Sequence, residues 1–140
     1  MASRKPPVSK TQPGVGLMAP RAPREEQAIF DRLRIMLLRN ALGLFVKRDS
    51  PGDVCLVSRK AHDGKELTFG GLQSRKSYVS YHLYALDTNP TLIEGMSAEL
   101  HRHLQGNSAF NFSHIDEAQL EELAALTRRS LEDWKQKGLV

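Results

Sequence analysis

The chain reads as an α+β domain: an antiparallel sheet of about five strands packed against three main helices as a two-layer sandwich. The sheet is expected to be a four-strand meander plus one short strand. Three observations predict this. Apolar residues recur at helical spacing near both ends of the domain and at a period of two between them. Clusters of Gly, Pro, Asp and Ser interrupt the period-two region at short intervals. The strands are grouped and do not alternate with helices, which excludes a doubly wound parallel sheet.

The stretch "PREEQAIFDRLRIMLLRNALG" is predicted as the first helix. Glu25 and Glu26 stand in its first turn, where the helix dipole favours anions. Ile29, Phe30, Leu33, Met36 and Leu37 make one apolar stripe, Arg39 lies near the end, and Gly43 is a stop signal. "LFVK" is a first strand, and "DSPGD" turns the chain with Asp49, Pro51 and Gly52. "VCLVSR" is a second strand. "AHDGKE" then carries Asp63-Gly64, a hairpin signal because both residues tolerate a positive φ. "ELTFGGL" is a third strand, in which Gly70-Gly71 predicts a bulge or a close backbone approach. "QSRKS" turns again, and "YVSYHLYAL" is the fourth strand.

"NPTLIEGMSAELHRHLQG" is predicted helical in one or two pieces. Asn89 caps it, Pro90 takes the first helical position, Gly95 breaks it, Ser97 restarts it and Gly106 ends it. "SAFNF" is a short fifth strand with Phe110 and Phe112 on one face. Asp116 opens the last helix, and Gln119 stands where a capping box needs it. Leu120, Leu123, Thr127, Leu131 and Trp134 form the core stripe of that helix, with Gly138 just past its end.

Residues 24–140 therefore make a single domain, and residues 1–23 a tail. The tail holds five of the seven prolines and no aromatic residue, so it is expected to be a disordered basic arm. Residues 1–24 carry Arg4, Lys5, Lys10, Arg21 and Arg24 with no acid, which leaves 15 bases against 16 acids in the body. The net charge of +4 thus comes from the tail. Nucleic-acid binding is not expected beyond weak contacts of that arm. The single cysteine, Cys55, excludes an internal disulfide and fits a reducing compartment, so a cytoplasmic location is expected. No apolar run approaches the length of a membrane span, and no membrane partner is expected. A monomer or a small homo-oligomer is expected.

The run "KSYVSYHLYAL…NPTLIEGMSAELHRHLQGNSAFNF…DEAQLEELAALTRRSLEDW" resembles the YdhG-like family of small bacterial domains. The resemblance covers roughly residues 25–137 and is most specific in the "KSYVSYHL" strand and the "QGNSAFNF" segment. It implies a compact α/β sandwich of cytoplasmic, bacterial origin and no assigned chemistry. Some relatives of that family are similar to frataxin and are proposed iron chaperones.

Three groups of residues are candidate sites. In the fourth strand, alternation places Tyr78, Ser80, His82 and Tyr84 on one face and Val79, Tyr81, Leu83 and Ala85 on the other. The first set is polar and aromatic and forms a candidate ligand-binding face, with His82 as acid, base or ligand. The second set reads as core. Lys47, Arg48, Arg75 and Lys76 flank the strands at one end of the meander and are a candidate anion site. Asp116, Glu117, Glu121 and Glu122 crowd the start of the last helix and are the candidate metal ligands, with iron as the alternative cofactor. Cys55 reads as a buried thiol, and it can pair with His82 only if both side chains face the same side of the sheet. "HRH", His101 to His103, cannot chelate one ion, because helical residues two apart point in different directions.

No glycine-rich phosphate loop, nucleophile elbow or zinc spacing is present, so no cofactor is predicted. The expected function is a non-enzymatic module that binds a small molecule or a protein. A frataxin-like metal-handling role is the alternative, and a small enzyme built on His82 is the third reading.

Overall fold

The computed structural model describes residues 23–140. The reading of residues 1–23 as a disordered arm falls almost wholly outside them. The described chain is α+β, with one antiparallel six-stranded sheet covered on one face by helices. Helix α1, Pro23–Asn40, is followed by strands β1 (Phe45–Ser50), β2 (Asp53–Val57), β3 (Thr68–Ser74) and β4 (Val79–Leu83). Then come a one-turn helix α2 (Ala85–Thr88), a 3-10 turn (Pro90–Ile93) and a second one-turn helix α3 (Ala98–His101). Strands β5 (Leu104–Gln105) and β6 (Ala109–Phe112) and the long helix α4 (Glu117–Gln136) complete the order. Across the sheet the strands run β1-β2-β3-β4-β6-β5.

The meander forms because each predicted turn closes. His62 and Lys65 exchange two backbone hydrogen bonds of 2.9 Å around Asp63 and Gly64, whose φ values are 54° and 73°. That is the turn geometry whose twist matches a hairpin. The Gly70-Gly71 prediction holds in both its forms. The β2–β3 register shifts between Leu56 and Val57, and a Cβ on Gly71 would stand 2.4 Å from the Val54 carbonyl oxygen.

The core lies between the sheet and the α1–α4 pair. All five residues of the predicted α1 stripe are buried, as are Leu123, Thr127, Leu131 and Trp134 of α4. From the sheet, Val54, Leu56, Leu72, Tyr81, Leu83, Phe110 and Phe112 face them. Fully burying an aliphatic side chain such as Leu33 or Leu37 contributes about 1.5–3 kcal/mol. The Phe69 ring meets Trp134 edge-on at 5.2 Å. Helix α4 starts with the predicted capping box: Asp116 accepts from the Gln119 N–H at 2.8 Å, and Gln119 accepts from the Asp116 N–H. The Arg34 guanidinium holds both carboxylate oxygens of Asp49, at 2.8 and 2.5 Å, and ties α1 to the edge strand β1. That hydrogen bonding keeps the Asp49 carboxyl below the usual carboxylate range.

Two sequence expectations need correction. Ala85 and Leu86, assigned to the fourth strand, begin α2 instead, because Tyr84 already adopts helical backbone angles. Leu104 and Gln105, assigned to a helix, form a sixth strand. Leu100 and Leu104 imitate a helical stripe, but only Leu100 belongs to the helix. Leu104 pairs with Phe110 and covers the otherwise open edge of β6. The rest of that predicted helix, the second, forms in two pieces, the 3-10 turn Pro90–Ile93 and α3, broken at Gly95 and restarted at Ser97, whose hydroxyl caps α3. Among the described residues, no helix is long and apolar enough to cross a membrane.

Candidate functional site

The side of the sheet opposite the helices is assembled by strand register. One cross-strand row runs Arg48, Cys55, Gly71, His82, Ala109. The next runs Ser50, Asp53, Gln73, Ser80, Asn111. The period of two that sends Val79, Tyr81 and Leu83 into the core leaves Ser80 and His82 on this side, half-buried.

Gly71 is the centre of the surface. It lacks a side chain, while its neighbours in the row, Cys55 and His82, have theirs. The result is a shallow trough lined by Arg48, Asp53, Cys55, Gln73, His82 and Tyr84, among others, with a cavity volume of about 70 Å³. A water molecule takes roughly 30 Å³ in the liquid, and drug-sized ligands need on the order of 300 Å³ or more. The trough therefore admits a side-chain end or a small polar group, with the bulk of any ligand lying outside it.

His82 is fixed on two sides. Its ring stacks on Tyr84 with centroids 4.1 Å apart and planes within 6°, and its Nε2 lies 2.9 Å from the Ser108 hydroxyl. Desolvation pushes the His82 pKa below its ordinary value, against a smaller opposing pull from Asp87. Cys55 and His82 do face the same side, yet Gly71 separates them. They stand two strand spacings apart, about 10 Å, so they make no direct pair. At the other end of the trough, Arg48 Nε donates to Asp53 Oδ2 at 2.7 Å, which raises the Arg48 pKa. The second oxygen, Asp53 Oδ1, is shielded from solvent and has no hydrogen-bond partner among the described residues.

Of the predicted ligand-binding face, Ser80, His82 and Tyr84 come together in the trough, and Tyr78 does not line it. Tyr78 belongs to the β3–β4 turn, where its carbonyl accepts the Arg75 N–H at 2.8 Å. The predicted anion group does not gather. Lys47 is bound by Glu66 on the β2–β3 loop, at the far end of the sheet, and Arg48 by Asp53. Arg75 donates to the Gln73 side chain at 2.5 Å, and Lys76 is exposed in the turn.

The four carboxylates near α4 also diverge. Asp116 caps the helix, and Glu117 pairs with Arg32. Glu122 accepts from the Ser97 N–H at 2.7 Å and the Ser97 hydroxyl at 2.6 Å, and Glu121 lies exposed beside α1. Among the described residues, no three His, Cys, Asp or Glu side chains are grouped so as to hold a metal ion. His103 is likewise committed: its Nδ1 meets the Asn111 carbonyl at 2.9 Å and its Nε2 the Gln119 amide at 3.1 Å.

Sequence reasoning missed Ser108, Asp53 and Gln73 as members of the site. Ser108 carries no signal at all, since it meets His82 only through the β4–β6 register. The Gly70-Gly71 pair signals a backbone feature in the sequence, but the role of Gly71 as the gap in a side-chain row depends on knowing which residues flank it. In comparisons with family models, curated proteins and solved structures, the chain matches none.

Proposed function

We propose that this protein is a non-enzymatic binding module and that the uncovered sheet face is its recognition surface. The observation that carries this reading is the trough over Gly71, framed by Cys55 and the stacked His82–Tyr84 pair. Its ligand lies across the sheet and places one small polar group in the trough. The partly exposed Tyr84 ring offers a flat apolar platform beside it. The ligand is accordingly a polypeptide segment or another extended molecule, since about 70 Å³ encloses only a fragment of one.

Binding is favoured over catalysis because His82 lacks the company a base needs. Among the described residues no carboxylate hydrogen-bonds to it, the Cys55 thiol is out of reach, and its Ser108 partner is buried. The free, buried Cys55 supports a reducing compartment as the place of action.

The test is a thermal-shift screen with nucleotides, metabolites and short peptides, repeated on His82→Ala and Tyr84→Ala. Ligands that stabilise the parent protein should lose that effect in both variants. If every stabilising ligand acts equally on the variants, the open face is not the recognition surface.

A further inference from the structure

The helical side of the molecule, remote from the open face, carries a second surface. Helices α1 and α4 pack side by side and leave a groove between them. At one end Ile35 and Met36 of α1 face Leu120 and Ala124 of α4 across a cavity of about 300 Å³. At the other end Leu42 and Leu131 line a cavity of about 280 Å³. Arg39 and Asn40 line both, so the two cavities adjoin along the helix pair, with the Arg128–Asn40 hydrogen bond crossing from α4 to α1 there. Its apolar floor is wet at two large side chains, Ile35 at 49% exposure and Leu42 at 71%. From Leu120 to Leu131 the groove follows α4 for about 17 Å, roughly three helical turns.

The charges on its walls select the occupant. Four bases line the groove, Arg32, Arg39, Arg128 and Lys135, against two acids, Glu121 and Glu132. Arg32 is paired with Glu117. Among the described residues, no ion pair engages Arg39, Arg128 or Lys135. Arg128 makes only a neutral contact, to the Asn40 side-chain oxygen at 2.7 Å.

This excess of cations argues against the two occupants the chain itself can offer. Residues 1–24 contain five bases and no acid, and would meet like charge. A second copy, groove against groove, would set two surfaces of four bases and two acids against each other, with like charge in excess on both sides. A nucleic-acid backbone would satisfy the bases but leave Ile35 and Leu42 without an apolar contact. An amphipathic segment satisfies both halves of the surface.

We propose that the α1–α4 groove is a docking site for an acidic amphipathic helix of a partner protein, about three turns long. Its apolar side chains, spaced at i, i+3 or i+4 and i+7, would cover Ile35 and Leu42. Its Asp and Glu residues would face Arg39, Arg128 and Lys135. This proposal is independent of the open sheet face.

The experiment sorts a surface-displayed library of randomised helical peptides, about 15 residues long, against the folded full chain. Ile35→Glu, Leu42→Glu and Arg39→Glu serve as counter-selections. All three side chains are exposed, so the variants should keep the parent melting temperature. Groove-dependent binders should lose at least about tenfold in affinity on each variant. They should be enriched in Asp and Glu around helically spaced apolar residues. Groove-dependent binders that are basic or uncharged, or no groove-dependent binder at all, would overturn the proposal. Self-association in sedimentation that Leu42→Glu abolishes would assign the groove to a second copy. Binding to anionic lipid vesicles that Ile35→Glu abolishes would assign it to a membrane surface. Either result overturns the proposal too.

Discussion

The hydroxyls of Tyr81 and Thr127 meet at 2.5 Å in the centre of the core and join the middle of the sheet to α4. Both residues are completely buried. The Thr127 hydroxyl donates its proton to the Leu123 carbonyl at 2.9 Å, so Tyr81 is the donor to Thr127. Desolvation raises the Tyr81 pKa, and the phenol stays protonated as that role requires.

The direction of this bond makes the two obvious variants unequal. Tyr81→Phe removes the donor and leaves Thr127 still bonded to Leu123, a loss of about 0.5–1.5 kcal/mol. Thr127→Val leaves the Tyr81 hydroxyl buried with only the Met36 sulfur near it, at 3.6 Å, and should cost about 1–3 kcal/mol. Urea unfolding of both variants and the double mutant checks this. A larger loss in Tyr81→Phe would mean that the donor has been assigned the wrong way round.

Gly71 stands where any side chain collides. A Cβ there meets the Val54 carbonyl oxygen at 2.4 Å, and that oxygen belongs to the backbone of the neighbouring strand, which cannot swing aside. Gly71→Ala should therefore destabilise the protein by about 2–3 kcal/mol, through displacement of β2 from β3. Chemical denaturation measures the loss, and a change below about 0.5 kcal/mol would show that the strand has room to give.

Asp116 separates a structural role from a metal-binding one. Its carboxylate caps α4 by accepting from Gln119 N–H. Asp116→Ala should cost about 1 kcal/mol, and Asp116→Asn or Asp116→Ser should restore most of it, because capping needs an oxygen acceptor and not a charge. Thermal melts of the three variants are enough. Failure of Asn and Ser to rescue would point to a need for the charge itself.

That cap was legible in the sequence because it is local, a residue and its partner three positions on. So were the α1 stripe, the Asp63-Gly64 turn and the two faces of β4, each set by periodicity or by φ preference within a few residues. The breaks came where distant segments decide. Leu104 suits a helix by spacing but finds the free edge of β6, and tertiary pairing overrides propensity. The candidate site was half legible for the same reason. Ser80, His82 and Tyr84 share a strand and its continuation, whereas Asp53, Gly71 and Ser108 join them through register. The proposed anion group failed because nearness of strand ends says nothing about carboxylates such as Asp53 and Glu66, which reach the cations first.

His82 gives the open face a pH signature. Burial lowers its folded pKa below the ordinary value of about 6.5 that it has when unfolded. Between those two values the unfolded chain binds more protons than the folded one, so stability rises with pH. The contribution is complete above about pH 6.5 and is lost as pH falls through the folded pKa. The chain holds four other histidines, so the informative quantity is a difference between variants. Unfolding free energy measured from about pH 5 to 8 for the parent and for His82→Gln should diverge only in the lower half of that range. There the parent should fall more steeply with acidification. Parallel curves would mean that His82 is as solvated in the fold as in the unfolded chain, and that the stack with Tyr84 does not shield it. A ligand that covers the trough should deepen the desolvation and bind more weakly as the pH falls through the lowered His82 pKa, a dependence that His82→Gln should remove.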